Sequence, residues 1–367
     1  MKALSSVDIH YLVSELHFLV GAKIDKIYHP EKKELLLQFH ITGTGKKILK
    51  ITDKTIYLAQ TKEEGKEPTS FCMFLRKHLD NSRLKEISQI EPERIVRLVF
   101  ETKEGTRNLI AELFGGGNFI VCDEKETIIS ALEFHKFKDR DINKGVAYSY
   151  PKKKIDIFNI KQSSIEKAVK NTGKESMVAF LAVDIGLGGV YSEEVCILAK
   201  IDKNKGPKNL KDEEMRELAT AIKKITKSKI EAEILYEGEI IKAAAPFPLE
   251  IYSRNNKKPF SSFSEAVEFF LSNEQPKEPK QDKGIERIKK IIEKQKEQIA
   301  ELSKEEDENR KKAELIYNNY PLIDEILREI NRAKEKYSWE EIKEKLKGHK
   351  IIKEIDLKDK KIVVEID

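Results

Sequence analysis

The chain has 367 residues, 39% of them apolar and 36% charged, with a formal net charge of +5. That length suits two or three domains, and apolar runs recurring throughout exclude a disordered chain. No apolar run is long enough to span a membrane, and Asp8 and Glu15 interrupt the first apolar stretch, which has no small-residue cleavage site and so does not read as a signal peptide. Cys72, Cys122 and Cys196 are odd in number and far apart, which leaves no disulfide framework or CxxC metal pair and points to a reducing cytoplasm. The richness in Lys, Glu and Ile suits a heat-adapted protein laced with ion pairs.

Residues 6–20 predict an amphipathic helix capped by Ser5 or Ser6, with Ile9, Leu12, Val13, Leu16, Leu19 and Val20 as its apolar stripe. From Lys23 the period changes to two, giving strands Leu35–Ile41, Lys47–Ile51 and Thr55–Leu58 between polar turns. A second helix starts near Ser70, and strands return at Arg94–Glu101, Thr106–Leu113, Asn118–Cys122 and Thr127–Leu132. Residues 163–230 read as helical, with Lys174–Val183 and Ser192–Ile201 flanking Gly186-Leu187-Gly188-Gly189. Short strands and a helix capped by Ser262 or Ser264 follow, then a polar, Pro-bearing boundary over 273–283. From 285 to 320 the apolar positions step by three and four, a heptad seam that is polar in its middle. Helices Pro321–Glu335 and Ser338–Leu346 come next, the latter opening on a Ser338/Glu341 capping box, and then a hairpin of Ile351–Asp356 and Lys360–Ile366. A lone heptad helix needs a partner, so the returning arm of an antiparallel coiled coil is expected beyond Asp367.

Three features bear on function. The Gly186-Leu187-Gly188 turn reads either as an ordinary turn between helices or as a helix-hairpin-helix, in which glycines allow close approach and the second helix aims backbone N–H groups at a phosphate. Residues 200–229 carry ten basic and five acidic side chains, a local +5 equal to that of the whole chain. Lys223, Lys224 and Lys227 belong to that window, which is either a solvated helix face or a footprint for phosphate. Arg76, Lys77 and His78 lie on the second helix and face water or phosphate. No nucleophile–base pair, paired-carboxylate signature or metal-ligand spacing is present, so no catalytic residue, metal or cofactor is expected. Gly115-Gly116-Gly117 lacks the Lys-Ser/Thr of a phosphate loop and reads as a β-turn or bulge.

Specific strings accompany this order of elements: Asp8 in the first helix, Phe71-Cys72-Met73-Phe74-Leu75-Arg76-Lys77-His78-Leu79, Gln89-Ile90-Glu91-Pro92-Glu93-Arg94-Ile95-Val96, Glu112-Leu113 with Asn118-Phe119-Ile120-Val121, and Phe263-Ser264-Glu265-Ala266. Together they resemble the NFACT proteins, which comprise eukaryotic NEMF, bacterial RqcH and their archaeal counterparts, historically called fibronectin-binding proteins. The resemblance runs over essentially the whole chain, and its Lys and Ile usage suits an archaeal member. It implies an α+β fold: a mostly antiparallel β domain like the N-terminal domain of formamidopyrimidine-type DNA glycosylases, a helix-hairpin-helix domain, and a coiled-coil arm with a small helical middle domain. The implied boundaries are 1–160, 161–275, 284–320 and 321–367, with the second arm and the RNA-binding domain outside the chain.

The resemblance also implies a ribosome quality-control factor. Its partners would be the large ribosomal subunit with its peptidyl-tRNA, tRNA and rRNA, without membrane. It would support template-free, alanine-type tailing while the ribosome makes the bonds. Asp8 carries over as the family's acid on the first helix, and Glu93-Arg94 as its Asp-Arg pair for tRNA engagement, with Glu in place of Asp. Arg76, Lys77, His78, Gly186, Gly188, Lys223, Lys224 and Lys227 are further expected RNA contacts. Asp139-Arg140 repeats the dipeptide in a Lys-rich loop and is set aside as a decoy. Two rivals remain. A glycosylase-like DNA enzyme would need an N-terminal proline nucleophile, where this sequence starts Met1-Lys2, and a surface adhesin would need an export signal.

Overall fold

The computed structural model describes residues 4–60, 67–137, 140–151, 155–273, 283–357, 359 and 361–365, with backbone alone at 283–287 and 289. Met1, Lys2 and Asp139, most of the polar boundary, the Ile285 side chain and Ile366 therefore lie outside the described residues. The chain divides into two compact units, Met1–Lys277 and Glu278–Asp367.

The first unit opens with α1 (Ser6–Leu16), capped by Ser5 through a capping box with Asp8. A 3₁₀ turn over His17–Leu19 ends it, so Val20, which the apolar stripe had included, is 44% exposed. Four strands follow as a meander: β1 (Lys23–Tyr28), β2 (Glu34–Ile41), β3 (Gly45–Thr52) and β4 (Ile56–Ala59). The pattern then repeats. Helix α2 (Ser70–Leu79) precedes β5 (Arg83–Gln89), β6 (Ile95–Thr102), β7 (Gly105–Glu112), β8 (Asn118–Cys122) and β9 (Ile128–Ala131). The result is one antiparallel sheet in the order β4-β3-β2-β1-β5-β6-β7-β8-β9.

The two halves meet reciprocally at β1 and β5. Ile24 N–H donates to Ser82 O and Leu84 N–H to Ala22 O, both at 2.9 Å, and each strand bulges after that point. The residues entering the two strands, Gly21 and Asn81, both have positive φ. With only Lys23 paired to Arg83, the halves are free to fold face to face, and Phe39 stacks on Phe100 at 6.5 Å in the core between them. At the far end, Gly115, Gly116 and Gly117 turn β7 into β8 with positive φ throughout, and a Cβ on Gly117 would fall 2.5 Å from Asp53 Cα, so only glycine fits there. A short hairpin, β10 (His135–Lys136) with β11 (Asp141–Ile142), follows β9.

The remaining helices and a second sheet pack on the same core. They are α3 (Gln162–Asn171), α4 (Met177–Ala179), α5 (Gly189–Leu198), α6 (Asp212–Thr226), β12 (Glu233–Glu237), β13 (Ile240–Ala245), β14 (Asn256–Pro259) and α7 (Phe263–Ser272). Two expected boundaries move. The segment before the glycines is not a helix from Lys174 but the short α4 running into a π turn, Phe180–Ile185, and α5 begins at Gly189 rather than Ser192. Gly186, in the left-handed region at φ 91°, closes that turn and redirects the chain.

Long-range caps tie the ends of this unit together. The Glu15 carboxylate on α1 accepts the Phe263 and Ser264 amides of α7 at 2.6 and 2.9 Å, and Ser262, not Ser264, caps α7. Glu15→Ala is expected to destabilise the fold by about 1–2 kcal/mol through loss of these acceptors. An unchanged urea midpoint would show that the cap is redundant.

The second unit holds α8 (Lys283–Asn318), α9 (Tyr320–Lys334), α10 (Trp339–Lys345), β15 (Ile352–Asp356) and β16 (Lys361–Val364). Pro321 sits in the first turn of α9, and Ser338 forms the capping box with Glu341 that the sequence predicted. Ile326, Ile330, Ile342, Ile352 and Ile355 make a small core. Along α8 the seam residues Ile288, Ile292, Ile299 and Leu302 are exposed.

Candidate nucleic-acid interface

A cavity of about 840 Å³ opens in the first unit where the start of α1, the loop before β6, the Gly186–Gly189 turn and the end of β13 converge. Five of the sequence-predicted residues line it together: Asp8, Glu93, Arg94, Gly186 and Gly188. They come from three segments far apart in the chain. Arg76, Lys77, His78, Lys223, Lys224 and Lys227 do not line it.

The loop carrying Arg94 is held from several sides. Ser6 Oγ donates to Pro92 O at 2.5 Å, beyond the cis Glu91–Pro92 peptide. Gln89 Nε2 reaches both Ser6 O at 3.0 Å and Glu93 O at 2.9 Å, and Leu113 N–H donates to Arg94 O at 2.8 Å. The backbone beneath Arg94 is therefore fixed, while its side chain is not committed. Among the described residues the guanidinium makes one hydrogen bond, Nη1 to Leu4 O at 3.2 Å, and no ion pair. Burial lowers the Arg94 pKa, with Glu93 opposing, yet arginine titrates so high that the group stays cationic. A half-buried cation whose donors are mostly unused, facing a cavity, is a site for an anion.

The start of α5 supplies a second source of positive potential in the same cavity. Gly188 starts α5 with no side-chain cap, and the first backbone bond at that end runs from Ser192 N–H to Gly188 O at 3.1 Å. The first-turn amides of Gly189, Val190 and Tyr191 thus find no acceptor among the described residues, and these residues of a ten-residue helix line the cavity. Gly188 sits close to the α1 cap, and a Cβ there would meet Ser5 Cβ at 3.6 Å.

Asp8 plays a positional part in this cavity. Its Oδ2 accepts the Ser5 amide at 2.7 Å and the Ser5 hydroxyl at 2.8 Å, while Oδ1 accepts Tyr191 OH at 2.6 Å. Tyr191 is buried, and burial first, then Asp8, push its pKa well above the ordinary value, so the phenol stays neutral and donates. Tyr191 is a cavity residue that sequence reasoning missed: nothing local marks a helix tyrosine whose partner lies 183 positions away. Val183, Val190, Leu249, Ile251 and Tyr252 line the remaining wall, which is mainly apolar.

The other predicted contacts lie elsewhere. Arg76 Nε donates to Ile27 O at 2.9 Å, and His78 packs on Phe74 and faces Glu104 at 3.3 Å, so these two serve α2 packing. Lys77 is exposed. Lys223, Lys224 and Lys227 are exposed at the end of α6 with no ion pair among the described residues, whereas Lys205 of the same basic window is taken by Glu214 at 2.6 Å. Arg140, set aside from sequence, is an anchor: its guanidinium forks onto buried Glu112 at 2.6 and 2.9 Å.

A family model described as NFACT N-terminal and middle domains matches residues 5–365. The chain belongs to the NFACT family. Among characterised relatives, this NFACT chain is 32% identical over 370 residues to the archaeal Rqc2 homolog aRqcH of Methanocaldococcus jannaschii, matching 95% of this chain and 54% of that protein. It is 24% identical over 409 residues to the ribosome quality control complex subunit NEMF homolog of Drosophila melanogaster, matching 94% of this chain and 41% of that one. The chain thus spans about half the length of these relatives. The fold is shared with the N-terminal part of the Streptococcus suis fibronectin/fibrinogen-binding protein, with a TM-score of 0.59, 22% identity, and coverage of 74% of this chain and 99% of that one. A Staphylococcus aureus fibrinogen-binding protein aligns with a TM-score of 0.60 at 18% identity, over 72% of this chain and 98% of that one. No helix among the described residues is long and apolar enough to cross a membrane.

Proposed function

We propose that this NFACT chain is the tRNA- and rRNA-gripping part of a ribosome quality-control factor. It would engage large ribosomal subunits blocked by peptidyl-tRNA and support template-free, alanine-type extension of the stalled chain. The observation that carries the reading is that Arg94, with one hydrogen bond to its guanidinium among the described residues, and the uncapped start of α5 line one cavity. Fixed cations and backbone amides grip phosphate without reading sequence, which suits folded RNA. The relatives named as ribosome quality control subunits point the same way. In this reading Asp8 and Glu93 shape the mouth that receives tRNA, the Gly186–Gly189 turn is a helix-hairpin-helix, and α8 is one arm of an antiparallel coiled coil. The domains divide at 1–160, 161–275, 284–320 and 321–367. The protein positions RNA, and peptidyl transfer belongs to the ribosome.

Direct binding tests this. The purified chain is expected to shift tRNA at low ionic strength, to sediment with large subunits that carry peptidyl-tRNA, and to leave abasic-site DNA uncut. Indifference to both RNAs would remove the proposal, and robust strand cleavage would move the fold's use to DNA repair.

The basic end of α6 gives a separate expectation. Replacing Lys223, Lys224 and Lys227 with Gln should lower the slope of log affinity against log salt by about two to three if all three meet phosphate. An unchanged slope would make that helix end a solvated surface.

A further inference from the structure

The hairpin of β10 and β11 exposes what a soluble surface usually hides. Phe134 and Phe137 are both 49% exposed, and His135 lies 5.6 Å from the Phe137 ring on the same face of the strand. Two strands of two residues each would not hold such a face in place on their own. Here they are clamped. The Phe137 amide donates to Arg140 O at 2.9 Å, closing the hairpin, and Ile142 is buried in a core cluster beneath it.

Arg140 completes the clamp. Its guanidinium forks onto Glu112, which also accepts Tyr148 OH at 2.7 Å, and it lies 5.2 Å from the Phe137 ring centroid. A buried ion pair adds little net stability but fixes geometry. Phe137 is thereby backed by a cation while the residue stays 49% exposed. One cation beside the ring is uncommitted: Lys136 is exposed with no ion pair among the described residues, whereas Lys32, Lys33 and His135 are held by Glu133. Glu112, which anchors the hairpin through Arg140, pairs with Ile95 across β6 and β7, one residue on from the cavity residue Arg94.

We infer that Phe137, with His135 beside it and Arg140 behind it, is a stacking platform for unpaired RNA bases. An exposed aromatic ring in a cationic setting offers a face that every base can stack on, and single-stranded segments are where bases are available. A protein partner would need apolar area without need of a ring face, and the exposed, unpaired Lys136 beside the ring favours an anionic partner.

The inference rests on the reading that the chain binds RNA, and the experiment separates the two. The 367-residue chain is titrated with a labelled single-stranded oligoribonucleotide of mixed sequence, and with a blunt RNA duplex of equal length. Phe137→Ala is expected to weaken single-strand binding about 5- to 150-fold, the range of one lost base–aromatic stack, with duplex binding within about twofold. Phe137→Trp should retain the parent's affinity, and Phe137→Leu, which keeps apolar area without a π face, should not. Equal binding of the single strand by parent, Phe137→Ala and Phe137→Leu would overturn the platform while leaving the RNA reading intact, as would a loss shared equally with the duplex. A parent that binds neither oligonucleotide would end the platform, and indifference to tRNA and large subunits as well would end the RNA reading.

Discussion

Glu112→Ala is expected to destabilise the first unit by about 3–5 kcal/mol, the usual consequence of removing one partner of a buried charge pair. Glu112 is 4% exposed, and its carboxylate answers three donors at once, Nη1 and Nη2 of Arg140 and the Tyr148 hydroxyl. Burial alone would lower the Arg140 pKa, but the bonds to Glu112 more than offset it and leave the pKa raised. Burial first, then Glu112, raise the Tyr148 pKa, so that phenol stays a donor. Truncating Glu112 strands a cation and a hydroxyl together. The double variant Glu112→Leu/Arg140→Met should recover most of the loss, since it removes the stranded cation along with the pair and leaves only the Tyr148 hydroxyl without its acceptor. Chemical denaturation of Glu112→Leu, Arg140→Met and the double forms the cycle. A Glu112→Ala protein within about 1 kcal/mol of its parent would show that Arg140 finds water or another acceptor, and the rigidity argued for the Phe137 hairpin would lose its basis.

How this anchor escaped the sequence shows what patterns carry. The period-two runs gave β2, β3, β4 and β8 nearly to the residue, because alternation and turn residues are local signals. Ser338 with Glu341 and Pro321 located α9 and α10 for the same reason. β5 went unnoticed although it delivers Gln89, since Arg83–Gln89 carries only two buried side chains. Arg140 looked like an idle copy of Glu93-Arg94 because its partner, Glu112, lies 28 positions away across a glycine turn. The site divides in the same manner. Asp8, Arg94 and the glycines were legible through the strings around them, but that they share one cavity was not. The Tyr191 hydroxyl on Asp8 and the Glu15 cap on α7 are tertiary facts that no periodicity records.

The site's sharpest consequence concerns Arg94, where affinity and stability should separate. Arg94→Ala is expected to weaken tRNA binding about 10- to 150-fold, the range of one charge-assisted contact of about 1.5–3 kcal/mol. The melting temperature should hardly move, because the guanidinium's hold on the fold is a single 3.2 Å bond to Leu4 O. Arg94→Lys keeps the charge but not the planar fork, so it should recover part of the affinity and leave the salt slope near the parent's. Arg94→Ala should lower that slope by about one, as expected for one lost phosphate contact. This pattern distinguishes a grip on RNA from a structural part. A structural arginine would lower the melting temperature and affinity together, and Lys would restore neither. A tRNA binding curve for Arg94→Ala that overlays the parent's would place the tRNA site elsewhere, with the start of α5 left as an uncapped helix end and no anion to meet it.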